Sequence, residues 1–133
     1  RAEKLFQSIV KDDPESSLEF FFPLIAYRAV KDVADPARDY ERRLIKNFKR
    51  DVHEYHAKLG PNAGEAKFLG IEVPEADVKW MKPKSEGNRI GYYRVLRSRL
   101  RYETKDGKAE SLEVTSFISW RGEWYLVHLH GFK

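Results

Sequence analysis

Cysteine is absent from the 133 residues, which excludes disulfides, thiol catalysis and cysteine-ligated zinc. Long apolar runs are absent as well, and no stretch approaches the roughly 18 apolar residues that a membrane-spanning helix needs. No internal repeat or low-complexity tract occurs. There is no Ser/His/Asp elbow, dinucleotide fingerprint or phosphate loop, and the Gly-rich stretch 60–70 lacks the loop's Lys-Ser/Thr. Charge of one sign is scarce in excess: 25 Lys+Arg against 21 Asp+Glu leave a formal net charge of +4. A surplus that small on a highly charged chain describes a solvated surface better than a polyanion binder. Aromatic residues, by contrast, make up 14% and hydrophobic residues 41% of the chain, which argues for a folded core. The length suits one α+β domain over 1–133, with helices over about 2–59 and an antiparallel sheet over about 66–130. The chain begins at Arg1 rather than Met, as expected of a domain processed after export to a bacterial periplasm or envelope; the alternative is a cytoplasmic domain.

Periodicity places the elements. Leu5, Phe6, Ile9 and Val10 form the stripe of a short amphipathic helix over 2–11. Asp13-Pro14 is a capping signal for a second helix, which Pro23 ends or kinks. The segment 24–33 is open between helix and extended chain. Asp35-Pro36 repeats the cap and starts the strongest helix, in which Tyr40, Leu44, Ile45, Phe48, Val52, Tyr55 and Leu59 share about 100° of arc. Gly60-Pro61 stops it. Strands are expected over 67–73, 78–81, 91–103, 111–120 and 124–130.

Face matching sets the register. A three-residue turn at Lys105–Gly107 pairs Leu100 with Leu112, Ser98 with Val114 and Arg94 with Ile118, and on the other face Arg99 with Glu113 and Arg97 with Thr115. A slip of one residue would exchange the faces. A two-residue turn at Arg121-Gly122 pairs Val114 with Leu129 and Ser116 with Val127, and puts His128 beside Thr115 and His130 beside Glu113. The expected architecture is α+β: N-terminal helices on a curved antiparallel sheet, cone-like, in the manner of a cystatin-like roll.

The closing segment 116–130, with Gly122, Trp124, Leu126, Val127, His128 and His130, resembles the last hairpin of nuclear-transport-factor-2-like (SnoaL-like) domains. The order of helices first and meander last is similar too. The resemblance implies a pocket between the concave sheet face and the helices, in a superfamily that includes isomerases, cyclases, dehydratases and non-catalytic binding or assembly modules. Glu19-Phe-Phe-Phe-Pro23 and the regular third helix depart from the catalytic members and point to a bacterial family outside them.

The chemistry-bearing residues fall into small groups. His53 and His56 are three apart on the long helix, and His128 and His130 two apart on a strand, spacings at which imidazoles can chelate zinc. With no third ligand in view, no metal site is expected, and nothing signals a cofactor. The ordinary roles are an interface histidine at 56 and a surface histidine at 53. Arg97, Arg99 and Arg101 alternate on one strand face, with Tyr93 and Val95 continuing it. Cross-strand pairing with Glu113 is their ordinary role; an anionic ligand or acidic partner is the functional one. With only Tyr93 and Phe117 as neighbouring rings, a single-strand platform is thin and nucleic acid is not the expected partner.

His128 with Glu113 can form an acid/base pair, and Glu41, if buried on the helix's apolar stripe, is a further candidate. Tyr55, His56 and Thr115, with Arg97, Arg99, His128 and His130, are the ligand-binding candidates. Trp80, Trp120 and Trp124 are read as core or interface aromatics. The expected function is a small-molecule- or protein-binding module, able to dimerise through the sheet. One alternative is a small isomerase or lyase with a His–carboxylate pair, and the second is a nucleic-acid-binding domain.

Overall fold

The helical stripe read from the sequence becomes α1 (Ala2–Val10), whose Leu5, Phe6 and Ile9 are buried. The computed structural model describes residues 1–132. Phe6 inserts between the rings of Phe68 and Tyr102, with centroids 5.4 and 5.3 Å away. Asp13-Pro14 starts a helix as expected, but of the 3-10 kind, and it closes at Phe20. Phe21 is then extended and bridges Leu126 in parallel, while the Phe22 N–H donates to the Leu126 carbonyl at 2.8 Å. Successive extended residues point to opposite sides. Phe21 therefore packs against Phe48 and Tyr40, and Phe22 against the edge of Tyr125.

The open segment is helical: α2 spans Leu24–Val30, with Pro23 at its N-cap, where no interior amide is lost. The long helix runs as α3 (Pro36–Asp39), a π-helical turn (Tyr40–Ile45) and α4 (Lys46–Leu59). An Asp35 carboxylate oxygen accepts the Arg38 N–H at 3.2 Å, the expected cap. Phe48, Val52 and Tyr55 are buried at 2, 0 and 4% exposure in the same cluster as Leu100, Leu112 and Val114. Each such side chain withdrawn from water contributes about 1.5–3 kcal/mol. No helix among the described residues is long and apolar enough to cross a membrane.

The sheet holds β1 (Lys67–Glu72), β2 (Lys79–Met81), β3 (Tyr92–Glu103), β4 (Ala109–Trp120) and β5 (Glu123–His128). β1 and β2 both pair with β3, which pairs with β4, which pairs with β5, all antiparallel. The sheet is curved and does not close. The result is an α+β fold with helices packed on an antiparallel sheet.

The β3–β4 register matches expectation at Arg94/Ile118, Ser98/Val114, Arg99/Glu113 and Leu100/Leu112. Arg97 and Thr115, expected to pair, are missing from the ladder, because Arg97 has φ +60°. The register is nevertheless the same on both sides of Arg97, and Tyr92, Leu100 and Tyr102 of β3 share one core with Leu112, Val114 and Ile118 of β4. Ile71 lies opposite Leu100, yet it lines the same cleft as Val95, an odd number of residues from Leu100. Val95 therefore does not continue the arginine face. On the last hairpin, Arg121 (φ +51°) and Gly122 (φ +80°) make the two-residue turn, and Trp120 pairs with Glu123. A bulge then adds Val127, so His128 lies opposite Ser116 rather than Thr115. β5 ends at His128, and His130 belongs to the bend beyond it.

Candidate functional site

An apolar cleft opens beside this stretch of β3. Val95, Phe117 and Leu126 lie opposite one another on β3, β4 and β5. Ile71 approaches from β1, and Leu5 and Phe20 approach from the helical side. Together they border a cavity of about 430 Å³. Its charged lining residues are Arg1 and Glu75. The Arg1 guanidinium pairs with Glu123 at 3.1 Å and lies 4.9 Å from the centroid of the Phe20 ring. No histidine or hydroxyl side chain lines the cleft and Glu75 is its one carboxylate, so its main chemistry is desolvation of an apolar group. Trp124 also lines it, 40% exposed, opposite Ser119. One row further out, Trp80 and Tyr93 pair across β2 and β3 with centroids 5.0 Å apart, each about half exposed. Trp80 and Trp124 are thus open aromatics beside the cleft and at its wall, rather than core residues.

A polar cluster sits at the far end of α4. The Tyr55 hydroxyl lies 2.7 Å from the Glu113 carbonyl and 2.8 Å from His130 Nδ1. A carbonyl only accepts, so the hydroxyl donates to Glu113 and accepts from His130, which must carry its proton on Nδ1. Burial, with Glu113 and Asp51 nearby, raises the Tyr55 pKa and keeps the phenol neutral. Buried Asp51 accepts the His130 backbone N–H at 3.3 Å. The Glu113 carboxylate accepts the Thr115 hydroxyl at 2.8 Å, and Thr115 in turn accepts the Gly131 N–H at 2.7 Å. Tyr55, Glu113, Thr115 and His130 therefore converge, and none of them lines the cleft.

The other candidates scatter. His56 donates from Nδ1 to the Ile9 carbonyl at 3.0 Å, tying α4 to α1, and His53 bonds Asp12 at the surface. The two helical histidines thus serve different partners, and no cluster able to hold a metal occurs among the described residues. Glu41 is exposed rather than turned to a pocket, because the π-helical turn begins at Tyr40. The His128 ring packs edge-on against Phe132. Arg99 faces Glu113 in register but makes no ion pair with it, bonding the Ser111 hydroxyl at 3.4 Å instead. Arg101 pairs with Glu72 at 3.3 Å. Arg97 and Arg99 line a surface hollow together with Glu72.

Two polar networks escaped the sequence reading. Tyr27 donates to Asp39, which also takes two N–H groups of Arg43 at 3.0 and 2.9 Å. Burial and the Asp39 bond push the Tyr27 pKa up to about 12, and the Arg43 bonds hold the Asp39 carboxyl below its usual range. Nearby, Glu86 accepts from Tyr92 at 2.7 Å and pairs with Arg94, and burial lowers the Lys31 pKa beside them. The sequence signal for the first was Tyr27 on the apolar stripe of α2, and for the second Tyr92 and Arg94 at alternate positions of one strand. In comparisons with known proteins, no protein family, curated protein or solved structure matches the chain.

Proposed function

We propose that the chain is a non-catalytic binding module of the nuclear-transport-factor-2-like kind that takes an apolar small molecule into the cleft between α1 and the inner sheet face. The carrying observation is the cavity of about 430 Å³, bordered by Leu5, Phe20, Ile71, Val95, Phe117 and Leu126 with no convergent acid/base pair. A cavity of that size falls within the range that holds small ligands. The α+β arrangement of helices on a curved sheet is compatible with that superfamily, and the closing hairpin residues add the resemblance. The isomerase alternative has less support, since Tyr55, Glu113 and His130 gather outside the cleft.

The test is titration with N-phenyl-1-naphthylamine, a neutral apolar fluorophore, in wild type and in Val95→Phe. Val95 is 2% exposed and lines the cleft, so the larger ring fills it. Wild type should bind saturably with quenching of tryptophan emission. Val95→Phe, with its fold verified by circular dichroism, should bind about tenfold more weakly, the value of roughly 1.4 kcal/mol. Equal binding by the two proteins would remove the cleft as the site.

A further inference from the structure

Arg97 holds a conformation at which a side chain is costly. Its φ of +60° lies in the left-handed region, in the middle of β3. The backbone leaves the ladder at this point, where Arg97 and Thr115 do not pair. Glycine would supply the same turn without steric penalty. Arginine is present instead, so it is the side chain, and not the backbone, that calls for an explanation. The costs cluster, because the buried hydroxyls of Ser98 and Ser116, beside it and across the ladder, find no hydrogen-bond partner among the described residues.

The surroundings of Arg97 are unusual too. β1 reaches β3 as far as Arg99, and β2 reaches it as far as Arg94. Residues 95–98 have no strand on that side. The connection 73–78 spans the gap, with backbone hydrogen bonds Glu75 to Val73, Asp77 to Pro74 and Val78 to Glu75 that close on itself. Two hollows open here, and Pro74 and Arg97 line both. The one of about 470 Å³ has Glu72, Arg97 and Arg99 as its charged groups. Glu72 is engaged by Arg101. The other, about 320 Å³, has Asp77, Lys79, Arg94 and Arg97. Arg94 is engaged by Glu86. Lys79, Arg97 and Arg99 thus stand at the gap without an acidic partner within ion-pair distance among the described residues, against the carboxylates of Asp77 and of Glu72, the latter held by Arg101.

We infer that this gap in the β1/β2 edge is an anion site, in which Arg97 and Arg99, with Lys79 beside them, hold the phosphoryl group of a small molecule. Guanidinium forks suit the tetrahedral oxygens of a phosphoryl group, and two or three cations match its double charge. The site is separate from the apolar cleft and does not depend on it.

The experiment is a titration of the amide NMR spectrum with inorganic phosphate, ionic strength held constant with sodium chloride. Saturable shifts should centre on Arg97, Ser98 and Arg99, with affinity in the millimolar range for so small a probe. Arg97→Gly should weaken the response about tenfold through loss of one fork. The same variant should raise Tm by a few degrees, because the left-handed strain is relieved. Lys108→Ala, which removes an exposed cation outside both hollows, should leave the response within about twofold of wild type. Acetate at equal concentration should not reproduce the shifts. Non-saturating shifts, an Arg97→Gly response equal to wild type, or an equal effect of acetate would each overturn the assignment.

Discussion

Tyr55 and His130, 75 residues apart in sequence, are held together by a hydrogen bond whose direction is fixed by a third group. The phenol is committed to the Glu113 carbonyl, so the imidazole must donate from Nδ1. Imidazole nitrogen spectra should show Nδ1 protonated in the neutral ring. Tyr55→Phe should cost about 1–3 kcal/mol in urea unfolding, because a part-buried carbonyl loses its donor. In that variant the neutral ring should lose its Nδ1–H preference. An unchanged tautomer would refute the arrangement.

Alkali should unfold the protein. Burial raises the phenols of Tyr27 and Tyr40 to about 12, and it raises those of Tyr55, Tyr92 and Tyr102 as well. A raised tyrosine contributes stability that is complete below its unfolded value of about 10 and is lost as pH climbs through the folded value. Each phenol adds a loss of about 1.4 kcal/mol per pH unit in that window. Lys31, whose pKa is lowered by burial, works in the opposite direction. One lysine against five phenols leaves a steep net loss. Tyrosinate absorbance and circular dichroism should change together, and phenols ionising before any loss of structure would contradict this.

Asp39 should mark the acid limb. Its carboxylate takes the Arg43 and Tyr27 donors, and its pKa is lowered mainly by the Arg43 bonds. The stability it contributes is present above the ordinary carboxylate value of about 3.9 and is lost as pH falls toward the folded value. Asp39→Asn should therefore cost about 1 kcal/mol near neutrality, a modest sum because the pair is partly solvated. The gap between the urea midpoints of the two proteins should narrow on acidification. A constant gap would assign the effect to packing alone.

Gly91→Ala should move Trp80 with little loss of stability. The indole lies so close over Gly91 that a Cβ there would overlap its six-membered ring. Trp80 is 52% exposed, so it can swing outward at a cost of about 1 kcal/mol or less. Tryptophan emission should shift to the red, and a Trp80→Ala background should abolish the cost of the glycine change. A large loss that persists in that background would place the constraint in the backbone.

The β3–β4 hairpin was legible because Leu100, Leu112, Val114 and Ile118 fit only one register around Lys105–Gly107. The next hairpin was legible at its turn and not beyond it. Val127 is apolar and β-branched, and such a residue reads the same whether it sits in the ladder or bulges from it. The long helix was plain from its stripe, whereas the π-helical turn at Tyr40–Ile45 changes hydrogen bonding without requiring a distinctive residue. The site was harder. Sequence reading favours histidine and arginine, and it did bring Tyr55, Glu113, Thr115 and His130 into view. The cleft is built from Leu5, Phe20, Val95 and Leu126, whose pattern in sequence is that of ordinary core. Val95 is buried beside them although Arg97 and Arg99, at the following alternate positions, are exposed, and nothing in an arginine announces a positive φ.

The pairing of Phe21 with Leu126 has an effect on colloidal behaviour. It blunts the β5 margin, where the Phe22 N–H already occupies the Leu126 carbonyl. The opposite margin is interrupted at residues 95–98 and bulged at Leu69. A foreign strand arriving to prolong the sheet thus meets a stopper on one flank and a broken template on the other. Fibril growth by this chain must begin with the release of 20–22 or the straightening of β1.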